Sequence, residues 1–164
     1  MFLIPGALAL LGVAACGGPA PGGDKPKPPA AAADPQILAQ YRKLWTQTIP
    51  AATAAKAGAR RSILAVTMAD PALSDAVRRY QNLERAGQRS YGRAVPLRQS
   101  VTVSGTTAVV KGCLDSTHSG VADRKTGRKL TRGVATSPVT ATFTEGSDGV
   151  WRASKTEFPI RKTC

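Results

Sequence analysis

Asp115 and His118 are the residues of this chain that could move a proton: a carboxylate three residues from an imidazole is the composition of a general acid–base pair. Asp115 also lies two residues from Cys113, so on a strand both side chains leave by the same face. If that face lines a cavity, Asp115 could serve as an acid or base or bind a cationic ligand. The plainer role is to cap the loop that follows or to pair with an arginine. His118 is the single histidine and lies within Ser116-Thr117-His118-Ser119-Gly120, a loop composition that predicts an imidazole facing solvent. No serine-hydrolase elbow, no phosphate-binding glycine loop and no His/Cys/Asp/Glu set at metal-ligand spacing accompanies them. An enzyme needs a convergent group of such residues. The expectation is therefore no catalytic residue, no metal and no cofactor.

The three cysteines carry the clearer chemistry. Residues 2–15, FLIPGALALLGVAA, form an apolar run shorter than the 20 or so residues of a transmembrane helix. The run ends in Val13-Ala14-Ala15-Cys16-Gly17-Gly18. Small residues before a cysteine, after an apolar stretch, resemble the lipobox of bacterial lipoprotein signal peptides. The first six residues depart from that pattern in carrying no Lys or Arg. The resemblance implies that residues 1–15 are removed and that Cys16, the new N-terminus, carries on its sulfur a diacylglycerol with two acyl (palmitate-type) chains. Such a protein is held on the extracytoplasmic face of the cell membrane. Each buried methylene contributes about 0.8 kcal/mol, so more than one chain is needed for a stable anchor. Cys113 and Cys164 are then left as an even pair in an oxidising compartment, which predicts a disulfide. A metal or redox site is the alternative, without a CxxC to support it.

Residues 16–33 are rich in Pro, Gly and Ala and lack apolar periodicity, which predicts an extended tether reaching up to about 50 Å. A single domain is expected over 34–164. Asp34-Pro35 reads as a helix start, and Ile37, Leu38, Tyr41, Leu44, Trp45 and Ile49 form one apolar stripe at helical spacing. Pro50 ends that helix or opens a new turn. The Ala-rich residues 51–61 continue as helix, and Ser62 to Ala69 form a short apolar helical segment. Asp70-Pro71 repeats the start signal, Leu73, Ala76, Val77, Tyr80 and Leu83 share a face, and Gly87 suits the position just past a helix end. Beyond residue 90 the period becomes two. Strands are expected over 97–103, 106–115, 134–145 and 150–158, with turns at Ser104-Gly105 and Gly146–Gly149 and a basic hairpin turn at 124–129 within the less regular stretch 119–132. The fold class is α+β, with N-terminal helices packed on a curved antiparallel sheet of about five strands.

The order of these elements, with Val109-Val110-Lys111-Gly112-Cys113-Leu114-Asp115, Thr126-Gly127, Asp148-Gly149-Val150-Trp151-Arg152 and the terminal Cys, resembles the NTF2-like, cystatin-like domains of secreted actinobacterial proteins. That resemblance implies a cone formed by a sheet wrapped on helices, often enclosing a cavity, and in many members a homodimer formed through the sheet.

The formal net charge is +13, which attracts anionic lipid, acidic cell-wall polymer or nucleic acid. Nucleic acid would call for interleaved aromatics or a known motif, and export places the chain away from it. The basic pairs Arg60-Arg61, Arg78-Arg79, Arg124-Lys125 with Arg128-Lys129, and Arg161-Lys162 are dispersed along the chain. The sequence therefore predicts a membrane-anchored, non-enzymatic interaction or scaffold module of the cell envelope. A carrier holding a small apolar or amphipathic ligand in the cone is the alternative, and an enzyme using Asp115 and His118 is the third reading.

Overall fold

The computed structural model describes residues 30–159 and 164, with side chains from residue 34 onward. Cys16, the signal and tether up to residue 29, and Arg161-Lys162 lie outside the described residues. Four helices come first: α1 (Ala30–Lys43), α2 (Ile49–Ala54), α3 (Arg60–Ala65) and α4 (Ala72–Arg85). Six strands follow: β1 (Gln88–Tyr91), β2 (Val95–Ser104), β3 (Thr107–Asp115), β4 (Gly120–Asp123), β5 (Ser137–Glu145) and β6 (Trp151–Glu157). Among the described residues no helix is long and apolar enough to cross a membrane.

Helix α1 begins at Ala30, so Pro35 lies inside it and Asp34 does not cap it. Alanine has the best helix propensity, and the run Ala30–Ala33 carries the helix one turn upstream of the expected start and into the stretch read as tether. Pro50 does open a new turn. It has no N–H to donate and its ring crowds the carbonyl four residues back. The preceding residues Leu44–Thr48 widen into a π turn in which the Ile49 N–H donates to the Leu44 carbonyl. The expected continuous helix over 51–61 is interrupted. Ala55 is extended, and the Arg60 guanidinium occupies the carbonyls of Ala52 and Ala55, each at 3.1 Å, which closes α2. Helix α4 starts one residue later than the Asp70-Pro71 signal predicts, with Pro71 at the cap position, and the Asp70 carboxylate still accepts the Ser74 N–H at 3.0 Å in its first turn. At the far end Gly87 adopts φ +66° and donates to the Glu84 carbonyl at 3.0 Å.

The main sheet has the order β2-β3-β5-β6, antiparallel throughout. Its inner face carries Ala108, Val110, Leu114, Val139, Ala141, Phe143, Trp151 and Ala153, all buried. Against them lie Ile37, Tyr41, Leu44 and Trp45 of the predicted stripe, with Leu64, Met68 and Leu73. This is the α+β arrangement expected from the change of period. Gly112 belongs to the inner face, where a Cβ would stand 2.9 Å from the Arg98 carbonyl oxygen and 3.1 Å from the Tyr41 hydroxyl; glycine lets the Tyr41 ring lie on the strand.

The segment after α3 corrects the reading of 62–69 as one helix. A last turn closes at Thr67, with the Met68 N–H donating to the Leu64 carbonyl, and from Met68 the chain runs beside Ala153, with the Ala153 N–H donating to Thr67 and the Ala69 N–H to Ala153, both at 2.9 Å. The free edge of β6 is partly covered in this way. The opposite edge, β2, carries Pro96 and a register shift at Arg98 (φ +33°), two devices that discourage further pairing. Strand β1 was not expected, and β4 is the strand that leads into the expected basic hairpin turn. They pair antiparallel in a separate two-stranded ribbon, Gln88 opposite Asp123 and Tyr91 opposite Gly120.

Candidate functional site

Asp115 ends β3 on the outer face of the sheet, beside the buried Leu114 that faces the core. Its Oδ1 accepts the Thr117 N–H at 2.9 Å and the Thr117 hydroxyl at 2.7 Å. Those two bonds, with a smaller contribution from the charge of His118, hold the carboxyl below its usual range. The residue caps the loop. His118 is exposed, and among the described residues no hydrogen bond joins it to Asp115. Cys113 and Cys164 are joined as a disulfide with their Cα atoms 6.1 Å apart, which fastens the chain terminus to the strand between β2 and β5. Among the described residues no three His, Cys, Asp or Glu side chains gather at metal-binding distance.

The structure builds a different polar centre, where α2, α4 and the ribbon meet. The Arg60 guanidinium, nearly buried, pairs with Glu84 at 2.8 Å and lies 5.1 Å from the centre of the Tyr80 ring. Tyr80 shares a 3.0 Å hydrogen bond with Thr53. Glu84 is also approached by Arg124, at 3.5 Å, from the turn after β4. A hollow of about 160 Å³ opens here, bordered by Arg60, Tyr80, Glu84, Arg89 and Arg124. A shallower groove of about 380 Å³ follows the outer side of α4 past Arg78, Arg79 and Asn82. Both hollows lie outside the apolar core, whose central residues Ile37, Tyr41, Leu44, Val110, Ala141 and Phe143 have no exposed surface.

The turn after β4 is the predicted basic hairpin turn. The Asp123 carboxylate accepts the Lys125 N–H at 3.0 Å, the Thr126 N–H at 2.7 Å and the Thr126 hydroxyl at 2.8 Å. The Thr126 bonds dominate and hold this carboxyl below its usual range. The chain then returns along β4, with the Leu130 N–H donating to the Val121 carbonyl at 2.8 Å. The ribbon brings β1 against this hairpin, and the Arg89 guanidinium packs beside Gly127. Lys129 lies 5.1 Å from the centre of the Tyr91 ring, whose hydroxyl donates to the Thr131 carbonyl at 2.9 Å. Arg89, Arg124, Lys125, Arg128, Lys129 and Arg132 are all exposed on this lobe. Arg89 and Glu84 had no signal in the sequence, because the ribbon's register and the packing of α4 bring them to this hairpin.

In the turn before β6, Asp148 is paired with Arg152 through both carboxylate oxygens, at 3.0 and 2.7 Å. Arg152, aided by the Val150 N–H, lowers the Asp148 carboxyl to about 2. A carboxyl lowered on folding stabilises the fold above its unfolded value of 3.8 and loses that contribution as pH falls through about 2. Urea midpoints are therefore expected to drop between pH 4 and 2, and to drop less in Asp148→Asn; parallel pH profiles for the two proteins would refute the assignment.

No family model matches the sequence, and no curated protein matches it. Among solved structures, the intermembrane space region of the chloroplast protein ARC6 is similar at a TM-score of 0.57, with 20% identity over 81% of this chain and 98% of that one. An NTF2-like protein from Cytophaga hutchinsonii is similar at a TM-score of 0.46, with 14% identity over 74% of this chain and 93% of that one. A putative ketosteroid isomerase from Shewanella frigidimarina follows at 0.39, with 12% identity over 75% and 91%. What the chain shares with the ARC6 region is its fold.

Proposed function

We propose that the chain is a non-enzymatic interaction module of the NTF2-like kind, held on the outer face of a cell membrane by a lipid on Cys16. The observation that carries the interaction role is the contrast between a filled interior and a concentrated basic exterior. Apolar side chains occupy the space between helices and sheet where a carrier would hold its ligand. The ribbon and its hairpin gather six cations on one lobe. Asp115 Oδ1 is engaged by Thr117 in its own loop, which supports the interaction reading over an enzyme built on Asp115 and His118. The disulfide suits an oxidising compartment. The intermembrane space region of the chloroplast protein ARC6 has a similar fold.

The anchor is tested by Cys16→Ser. The variant is expected to move from the membrane fraction to the soluble fraction, because without acyl chains the remaining electrostatic attraction is screened by salt. Retention of Cys16→Ser in membranes washed with salt would refute the lipid anchor.

A further inference from the structure

We infer that the lobe built by β1, β4 and the hairpin through residue 134 is a membrane-facing surface that docks on anionic phospholipid. This rests on the proposed location at a membrane and names the partner there. Three observations carry it. First, the cations of the lobe outnumber its acids: Arg124, Lys125, Arg128, Lys129 and Arg132 are all exposed, Arg124 shares Glu84 with Arg60, Arg132 donates to the Thr117 carbonyl, and the nearby acids are already engaged. Asp123 is held by its own turn, and Glu84 by Arg60 and Arg124. Second, the same loop presents apolar side chains to water, with Leu130 37% and Val134 57% exposed. Aliphatic side chains interleaved with Lys and Arg are the composition of a segment that lies in a headgroup layer, its cations at the phosphates and its apolar groups below them. A hydrated acidic polymer would offer the cations a partner but give Leu130 and Val134 no apolar phase. Third, the loop is braced rather than loose. Tyr91 holds Thr131 at 2.9 Å, and the Ser116 N–H donates to the Val134 carbonyl at 2.9 Å. The surface is therefore largely formed before contact, which lowers the ordering cost of binding.

Each Lys or Arg brought to an anionic leaflet strengthens association roughly fivefold. The test is amide hydrogen exchange of residues 124–134 in the full chain, mixed with phosphatidylcholine vesicles or with vesicles containing about one third phosphatidylglycerol. Exchange is expected to slow about tenfold on the anionic vesicles only, and to recover in about 0.5 M salt. The double variant Leu130→Ser/Val134→Ser, which keeps every charge, is expected to lose most of the protection. Equal exchange on the two vesicle types would overturn the inference. So would equal protection by soluble polyphosphate that the serine variant retains, which would assign the lobe to a dissolved polyanion. Flotation of the chain with neutral vesicles reports the anchor alone, so failure of the anchor and failure of the docking surface give different results.

Discussion

Replacing Cys113 and Cys164 together by serine is expected to lower the unfolding free energy by about 4 kcal/mol, read from urea transitions of the oxidised wild type and the double variant. The bridge spans 51 positions. Closing a loop of that length in the unfolded chain removes entropy worth about 4 kcal/mol at room temperature. The attachment point raises the stake. Cys113 lies on β3, opposite Leu97 on one side and Pro138 on the other, so the bridge fastens the C-terminus to the middle of the sheet. Stabilities of single domains are commonly 5–15 kcal/mol, so the reduced chain is expected to keep little margin. The native oxidised protein, denatured without reductant, should offer no free thiol at these two positions. A loss below about 1 kcal/mol in the double variant would mean that the bridge contributes little to the fold.

Tyr41→Ala is expected to cost about 3–5 kcal/mol, the range for removing a large buried aromatic ring. Tyr41 has no exposed surface, and its ring centre lies 6.2 Å from that of Trp45 and 6.4 Å from that of Phe143. Tyr41→Phe separates the ring from the hydroxyl, which is buried without a hydrogen-bond partner among the described residues. Burial pushes the phenol up to about 12, an effect that the nearby Trp45 indole only partly offsets. The sign follows from linkage. An acid whose pKa rises on folding leaves stability intact below its unfolded value of 10.0, and stability is lost as pH climbs from there through about 12. A shift of two units amounts to about 2–3 kcal/mol of alkaline destabilisation. Tyr41→Phe is expected to keep the neutral-pH stability of the wild type and to flatten this alkaline loss. A Phe variant with an unchanged alkaline profile would show that another group is responsible.

The parts of this fold legible in the sequence are those with a local cause. Asp70 and Gly87 bracket α4 because a carboxylate and a left-handed glycine act within one turn. The stripe through Tyr41 and Trp45, and the alternation through Val139, Ala141 and Phe143, record which face meets the core. The cysteine pair was legible because the expected lipid site at Cys16 leaves Cys113 and Cys164 with one intramolecular partner each, and the two are bridged. The ribbon was not legible. Gln-Arg-Ser-Tyr and Gly-Val-Ala-Asp are four residues long, and their faces are mostly half exposed, so they carry no alternation to read. The break after Ala54 was hidden because it depends on where the Arg60 side chain folds back. The docking lobe was half hidden, for the same reason as the ribbon. The basic run through 124–132 was visible as a hairpin turn, and what the sequence did not show is that the ribbon sets Arg89 against it, through a pairing between residues about thirty positions apart.

The order in which that surface comes into being follows from what lies between its two strands. The hairpin of β2 and β3 is closed by a tight turn, with Ser104 opposite Thr107, and it occupies most of the chain from Tyr91 to Gly120. Until it zips, joining Gln88 to Asp123 means closing the whole intervening stretch at its full entropic cost. Once it has zipped, both ends emerge side by side and the ribbon closes a much shorter effective loop. The hairpin therefore forms ahead of the ribbon. The surface shared by the ribbon and its turn is therefore among the last parts of the fold to be completed.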